Sequence, residues 1–481
     1  MRVIDRVRIA ILSFILVIAF IAACPAASYA GLLKEKLQNY VEASQAASNG
    51  DLSIYVCDSE GKTIFEYFPD RLLAPASNLK ILTAASAIHY LGPDYRYVTS
   101  VYGTPIDEKR GGLMEGSLYL VGSGDPTFCK PFFDSPTAVF EELAEELAKK
   151  GLRRITGDII GDDSVFDREF TGKGWKDRYI LDSYAAECAG LSLNANLVQI
   201  TLMRGAVSFV PDSSIFNVND NTVSGGYTDI SMIRKRGTND ITVKGSIAPG
   251  ENGGATITVH NPSLFSIDAF EKILKTQSIY NTGTTRLIPE SDSRYKYAEF
   301  VELARHESPR LLEILIPMMK ESDNMLAQHV FKTIGAEING KGSLAKSGES
   351  VLNLFKEAGI DTKGIVIADG CGLSDLNRIS SRQLGGLLVF MLKDKHSKEF
   401  LRTFPVSGVD GTLKYRMSDN NVWAKTGTIN GVSSLSGYVV TNDGDTAVFS
   451  IISNNHKLGP SVFKGFEDAF VSCIANTGIR Q

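Results

Sequence analysis

From about residue 100 to residue 290 the chain runs in short β-type segments broken by Gly, Asn and Asp, while helical patterns flank it on both sides. Inside this stretch the runs Ser117–Val121, Ile155–Ile160, Leu197–Met203, Thr242–Ile247 and Ala255–Val259 read as strands, and Pro136–Lys150 and Ser263–Lys275 as helices. Before it, Ser53–Val56 and Thr63–Phe68 flank a turn at Asp58-Ser59-Glu60-Gly61, and an alanine-rich helix runs from Ser77 to Leu91 and stops at Gly92-Pro93. After residue 295 helical patterns return at 309–319, 325–334 and 348–358. Strands follow at 422–428, 434–441 and 447–453, and an amphipathic helix over 463–474 closes the chain. The economical reading is one α/β domain made from both ends of the chain with a β-rich insertion between them. Its expected boundaries are 31–100 and 291–481 for the α/β parts and 101–290 for the insertion.

With 43% hydrophobic and 22% charged residues, 481 residues bury a sizeable core. The net charge of −5 includes a basic leader, and basic residues are neither in excess nor clustered, so no nucleic-acid partner is expected. The leader itself has Arg2, Arg6 and Arg8, an apolar run from Ile9 to Ala23, and Ser28-Tyr29-Ala30 before Gly31. These are the three parts of a secretory signal over residues 1–30, and the apolar run is too short for a membrane span. Ile21-Ala22-Ala23-Cys24 also resembles a lipoprotein box that would leave Cys24 lipidated, but the Pro25 that follows fits an ordinary signal better. Cys57, Cys129, Cys188, Cys371 and Cys473 remain after such a cut, an odd number, so at least one thiol lacks an intramolecular partner. No CxxC or HExxH spacing occurs, and no metal or other cofactor is expected.

Ser77 and Lys80 are three residues apart at the head of the alanine-rich helix, where positions i and i+3 share a face, so the amine can reach the hydroxyl. Alone this spacing is weak: it recurs at Ser293/Lys296, Ser343/Lys346 and Ser461/Lys464, and a helix start with a solvated lysine explains it as well. Ser322-Asp323-Asn324 falls between two helical patterns and could cap the second. Its copy at Ser418-Asp419-Asn420 reads as a turn. Lys425-Thr426-Gly427 occurs once, on a strand where Lys425 and Gly427 share a face, and a glycine there removes a side chain that would obstruct a substrate backbone. As an isolated feature, Lys425 also reads as an edge-strand gatekeeper.

Ser-x-x-Lys, Ser-Asp-Asn and Lys-Thr-Gly in that order are the signature of penicillin-binding proteins and serine β-lactamases. The stretches LYLVGSGDPT (118–127), GDIIGDDS (157–164), LSLNAN (191–196) and DGCGLS (369–374) narrow this further. With them the chain resembles the D-alanyl-D-alanine carboxypeptidase/endopeptidases of peptidase family S13, the class C low-molecular-mass penicillin-binding proteins. Nearly the whole mature chain is covered, including a 242-residue gap from Lys80 to Ser322. The family usually has serine where this chain has Cys371.

The resemblance implies a serine β-lactamase/transpeptidase-like catalytic domain, discontinuous in sequence, with one or two β-rich inserted subdomains. It implies that Ser77 attacks a D-Ala-D-Ala bond of a peptidoglycan stem peptide, with Lys80 as a candidate base. Ser322 would pass a proton to the leaving amine, and Asn324 would hold Lys80 and the substrate amide. Lys425 would attract the substrate carboxylate with help from Thr426 and Thr428, and the Ser77 and Thr428 N–H groups would form the oxyanion hole beside Gly427. β-Lactams are then expected as covalent inhibitors, and the membrane as a peripheral surface unless Cys24 is lipidated. A serine β-lactamase would need a dedicated deacylating group and is much shorter. A non-catalytic cell-wall sensor is opposed by the intact Ser77, Lys80, Ser322, Asn324 and Lys425.

Overall fold

The computed structural model describes residues 29–203, 206–290 and 297–479. Cys24 and all but the last two residues of the expected leader lie outside them. At its centre is an antiparallel sheet of five strands: β1 (Asp51–Asp58), β2 (Thr63–Tyr67), β3 (Asn421–Ile429), β4 (Val432–Val440) and β5 (Thr446–Asn454), in the order β3-β4-β5-β1-β2. The first two strands and the last three therefore come from opposite ends of the chain.

Side-chain alternation gives each face of this sheet its own core. Leu52, Ile54 and Val56 of β1 point to the side where α1 (Tyr29–Ala43) contributes Leu33 and Leu37 and the C-terminal helix (Pro460–Ala475) contributes Phe463 and Phe470. Tyr55 and Cys57 point the other way. There they meet a helical layer made of α2 (Leu79–Leu91), α3 (Leu311–Lys320), α4 (Asn324–Asn339), α5 (Leu344–Glu357) and α6 (Ser381–Lys393). Helix α2 lies inside this layer, which is why ten consecutive residues from Leu79 to Ile88 are buried and no polar stripe marks its sequence. Helix α6, which the sequence reading does not anticipate, opens with a reciprocal cap. The Gln383 amide N–H donates to the Ser380 hydroxyl at 3.2 Å and the Ser380 N–H donates to Gln383 Oε1 at 3.0 Å.

The residues between the two halves build a second core. A five-stranded sheet ordered Thr285–Leu287, Ile159–Asp162, Leu118–Val121, Val98–Gly103 and Val301–Glu307 packs against helices Ala138–Lys149 and Pro262–Thr276. Two three-stranded sheets extend it. Two details differ from the sequence reading. The run Ile155–Ile160 is not one strand. Arg154–Ile155 and Ile159–Asp162 belong to different sheets, because Gly157 crosses against Gly116 where a Cβ would lie 2.5 Å from a backbone carbon, and Asp158 turns aside to accept from Thr284 and Arg286. And before helices return, Val301–Glu307 pairs antiparallel with Val98–Gly103 as one further strand.

Candidate active site

Ser77 does not open helix α2 itself. It sits in the 3-10 turn Ala76–Asn78 that feeds the helix, with Ala76 at φ +46°, and the turn lifts its hydroxyl clear of the axis. Neither Ser77 nor Asn78 makes a side-chain cap bond, so the helix-cap explanation of this serine does not hold. The Asn78 amide instead bridges the turn to the sheet, fitting between the Lys425 carbonyl at 2.6 Å and the Ser436 hydroxyl at 2.8 Å.

Lys80 is fully buried one turn below. Its Nζ donates to Ser77 Oγ at 3.1 Å, to Asn324 Oδ1 at 2.6 Å and to the Cys371 carbonyl at 2.8 Å, which uses all three of its protons. Burial lowers its pKa, opposed by the negative charge of Asp369 and Asp323 nearby. Ser322 occupies the left-handed region at φ +63°, just before α4, and accepts from Lys425 Nζ at 2.8 Å. The cap of α4 is Asp323, which accepts from the Leu326 N–H at 2.9 Å, leaving its two neighbours free to face the cleft. Asn324 also donates through Nδ2 to the Tyr184 carbonyl at 2.8 Å, so the amide expected to hold substrate is already tied to the loop around Tyr184.

Lys425 is on β3, the edge strand, yet it is completely buried, which excludes a solvent-facing gatekeeper. Its pKa is pushed well down, first by burial and then by the charge of Lys80. The sequence reading expects burial and Lys425 to depress Lys80 together. Burial disfavours the charged form of both lysines, and the repulsion between the two ammoniums adds to it. Thr426 Oγ1 donates to Thr412 Oγ1 at 2.8 Å and Thr428 is exposed at the cleft. Gly427 has a different reason from the one expected. A Cβ there would lie 2.3 Å from Ser434 Oγ, 2.8 Å from the Pro75 carbonyl and 3.0 Å from the Ser77 nitrogen, so its bareness lets the serine turn seat against the strand.

Ser77, Ser322, Asn324 and Thr428 line one cleft of about 320 Å³ together with Tyr179 and Tyr184, while Lys80 and Lys425 lie buried behind it, bonded to Ser77 and Ser322, and Thr426 and Gly427 continue the same strand. The second Ser-Asp-Asn is elsewhere: Asn420 donates to Ser472 on the C-terminal helix. What the motifs missed are backbone and support groups: the Cys371 and Tyr184 carbonyls, Thr412 and Asn78. Only the DGCGLS stretch carried a signal for any of them. The Cys371 side chain is buried and its pKa is raised well above normal by that burial, an inert thiol. The five described cysteines are all free.

The fold is a mixed α/β one, a five-stranded antiparallel sheet between two helical layers with the serine turn and the Lys425 strand meeting at its edge. The chain belongs to the D-Ala-D-Ala carboxypeptidase 3 (S13) family, whose model matches residues 33–477. It is 31% identical over 436 residues to a D-alanyl-D-alanine carboxypeptidase of Actinomadura sp. (strain R39), covering 85% of this chain and 78% of that one. It is 24% identical over 480 residues to the D-alanyl-D-alanine carboxypeptidase DacB of Haemophilus influenzae, covering 95% of each. In fold it is similar to the crystal structure of penicillin binding protein 4 (dacB) from Haemophilus influenzae, with a TM-score of 0.77 and 22% identity over 92% of this chain and 99% of that one.

Proposed function

We propose that the chain is a penicillin-binding serine D-Ala-D-Ala carboxypeptidase that also cleaves cross-links as a DD-endopeptidase, acting on peptidoglycan stem peptides through an acyl-enzyme on Ser77. The observation that carries the mechanism is the three-acceptor shell of Lys80. A neutral amine has two protons and one lone pair. With the protons held by Asn324 Oδ1 and the Cys371 carbonyl, the lone pair faces Ser77, so Lys80 takes the serine proton as the hydroxyl attacks the scissile carbonyl.

The substrate's terminal carboxylate, seated beside Lys425, stabilises that ammonium, and of two coupled buried lysines Lys80 then gives up its proton. Negative charge developing on the carbonyl oxygen meets the Ser77 and Thr428 N–H groups. Their proximity is supported by the contact of Gly427 with the serine turn. Ser322 passes the proton taken by Lys80 to the departing amine, and water then hydrolyses the ester and restores the serine.

The secretory-signal pattern over residues 1–30 supports action in the cell envelope, in the periplasm where an outer membrane exists. Residues 31–100 and 291–481 form the catalytic domain and 101–290 the insertion, a division supported by the two separate cores. A solved relative, penicillin binding protein 4 of Haemophilus influenzae, is complexed with a β-lactam, which supports β-lactams as covalent inhibitors here. The test is release of D-alanine from a peptide ending in D-Ala-D-Ala, and of monomers from cross-linked dimers, with Ser77→Ala as control. Release lost in the variant is expected. Hydrolysis of penicillin without D-alanine release would make the protein a β-lactamase, and penicillin labelling without any turnover a sensor.

A further inference from the structure

Asp369 makes no contact with Ser77, yet the site is organised around it. Its carboxylate is completely buried, and among the described residues no lysine, arginine or histidine nitrogen lies within ion-pair distance of it. It accepts four N–H donors instead: Gly372 N at 2.8 Å and Asn377 Nδ2 at 3.0 Å on Oδ1, Ser374 N at 2.7 Å and Trp175 Nε1 at 2.9 Å on Oδ2. Those bonds fold residues 369–377 into a compact turn. The turn presents the Cys371 carbonyl to Lys80, receives the Thr83 hydroxyl of α2 on the Gly370 carbonyl at 2.7 Å, and packs Gly372 so tightly against the serine turn that a Cβ would fall 1.8 Å from the Ala76 carbonyl.

We infer that Asp369 is a positioning residue of the acylation step: it shapes the turn that receives Lys80 and supplies the fully buried negative charge beside Lys80, the first of two fully buried lysines in the site. Burying a charge without compensation is costly. Lys80 faces Asp369 and Cys371 from this turn, Asp323 from the start of α4, and Lys425 from β3. Asp323 is partly exposed and the Cys371 thiol is neutral, so within this set Asp369 is the anion that water does not screen. One carboxylate against two ammoniums leaves one lysine to go neutral, which is the state acylation needs.

This inference rests on the proposed reading of Ser77 and Lys80. Its test is the pH profile of acylation by a fluorescent penicillin. The rate rises with pH as the lysine pair releases a proton. Asp369→Asn removes the anion that holds that proton, so the acid limb moves down by about one pH unit. Trp175→Phe, which loosens the turn but keeps the charge, lowers the rate with the limb in place. In Asp369→Asn/Asn377→Asp the carboxylate is moved one side chain away, and the limb shifts down by less; this variant carries the test alone if the single one does not fold. An acid limb unmoved in the folded variants overturns the inference, while a wild-type protein that is never acylated overturns the functional reading instead.

Discussion

Two lysines buried within one site are expensive, and their cost has a direction that can be measured. Both have folded-state pKa values below the unfolded lysine value because burial disfavours the ammonium. The folded chain therefore binds fewer protons than the unfolded chain at any pH below the unfolded lysine value and above their folded values, and stability in that window rises with pH and falls on acidification. Lys425→Met should consequently raise the unfolding free energy at neutral pH by about 1 kcal/mol, with the gain growing as pH falls, while D-alanine release is lost. Chemical denaturation at two pH values and the turnover assay check both halves. A variant that is less stable than the parent at low pH contradicts this view of the pair. At this scale the chain's motifs named Ser77, Ser322, Asn324 and Thr428 but not the Tyr179 and Tyr184 side chains that share their cleft, and none of the backbone carbonyls, because a carbonyl's role is set by where the turn puts it and carries no residue identity. That is why the identity of the Cys371 side chain matters little here: Lys80 uses its carbonyl oxygen and leaves the thiol aside.

Strand β3 and the serine turn act as one element, joined through a glycine. Gly427→Ala would place a methyl against Ser434, Pro75 and the Ser77 nitrogen and force the strand away from the turn, opening the oxyanion hole. The acylation rate constant should fall by about 100-fold or more, with far-ultraviolet circular dichroism unchanged, since loss of one oxyanion donor alone has that order of effect. A rate within threefold of the parent would show that the two elements do not touch as described. Strands β3, β4 and β5 were legible because each is an uninterrupted run of nine residues between turns. Helix α2 was legible by its apolar alanine-rich run, whereas α6 was overlooked even though its Ser380-Ser381-Arg382-Gln383 start is a capping box. The Ile155–Ile160 error has a physical cause. Apolar composition reports that a run is buried, and only the Gly157 crossing reports that it changes sheets.

At the scale of the whole molecule, the middle of the chain reaches the cleft through Tyr179 and Tyr184 and is pinned to the helix that carries Asn324. The pin is Lys332 on α4, completely buried, whose Nζ donates to Asp167 Oδ1 at 2.7 Å, to the Asp167 carbonyl at 3.2 Å and to the Glu169 carbonyl at 2.8 Å. Lys332→Met strands the Asp167 carboxylate and those carbonyls and should cost about 3 kcal/mol of stability. D-Alanine release should fall more than penicillin labelling, because the longer peptide uses more of the insertion's wall. Equal losses in both would assign the wall no part in peptide binding. That strands from both ends of the chain share one sheet was readable from where strand and helix periods change along the chain. The pairing of Val98–Gly103 with Val301–Glu307 across the base of the insertion was not, because strand partners two hundred residues apart leave no local pattern. The most direct measurement of the central claim is peptide mass spectrometry of the protein after brief exposure to benzylpenicillin over a range of pH. One penicilloyl adduct is expected, on the peptide containing Ser77, forming faster as pH rises through the titration of the lysine pair. An adduct on any other residue, or a rate on Ser77 indifferent to pH, would contradict it.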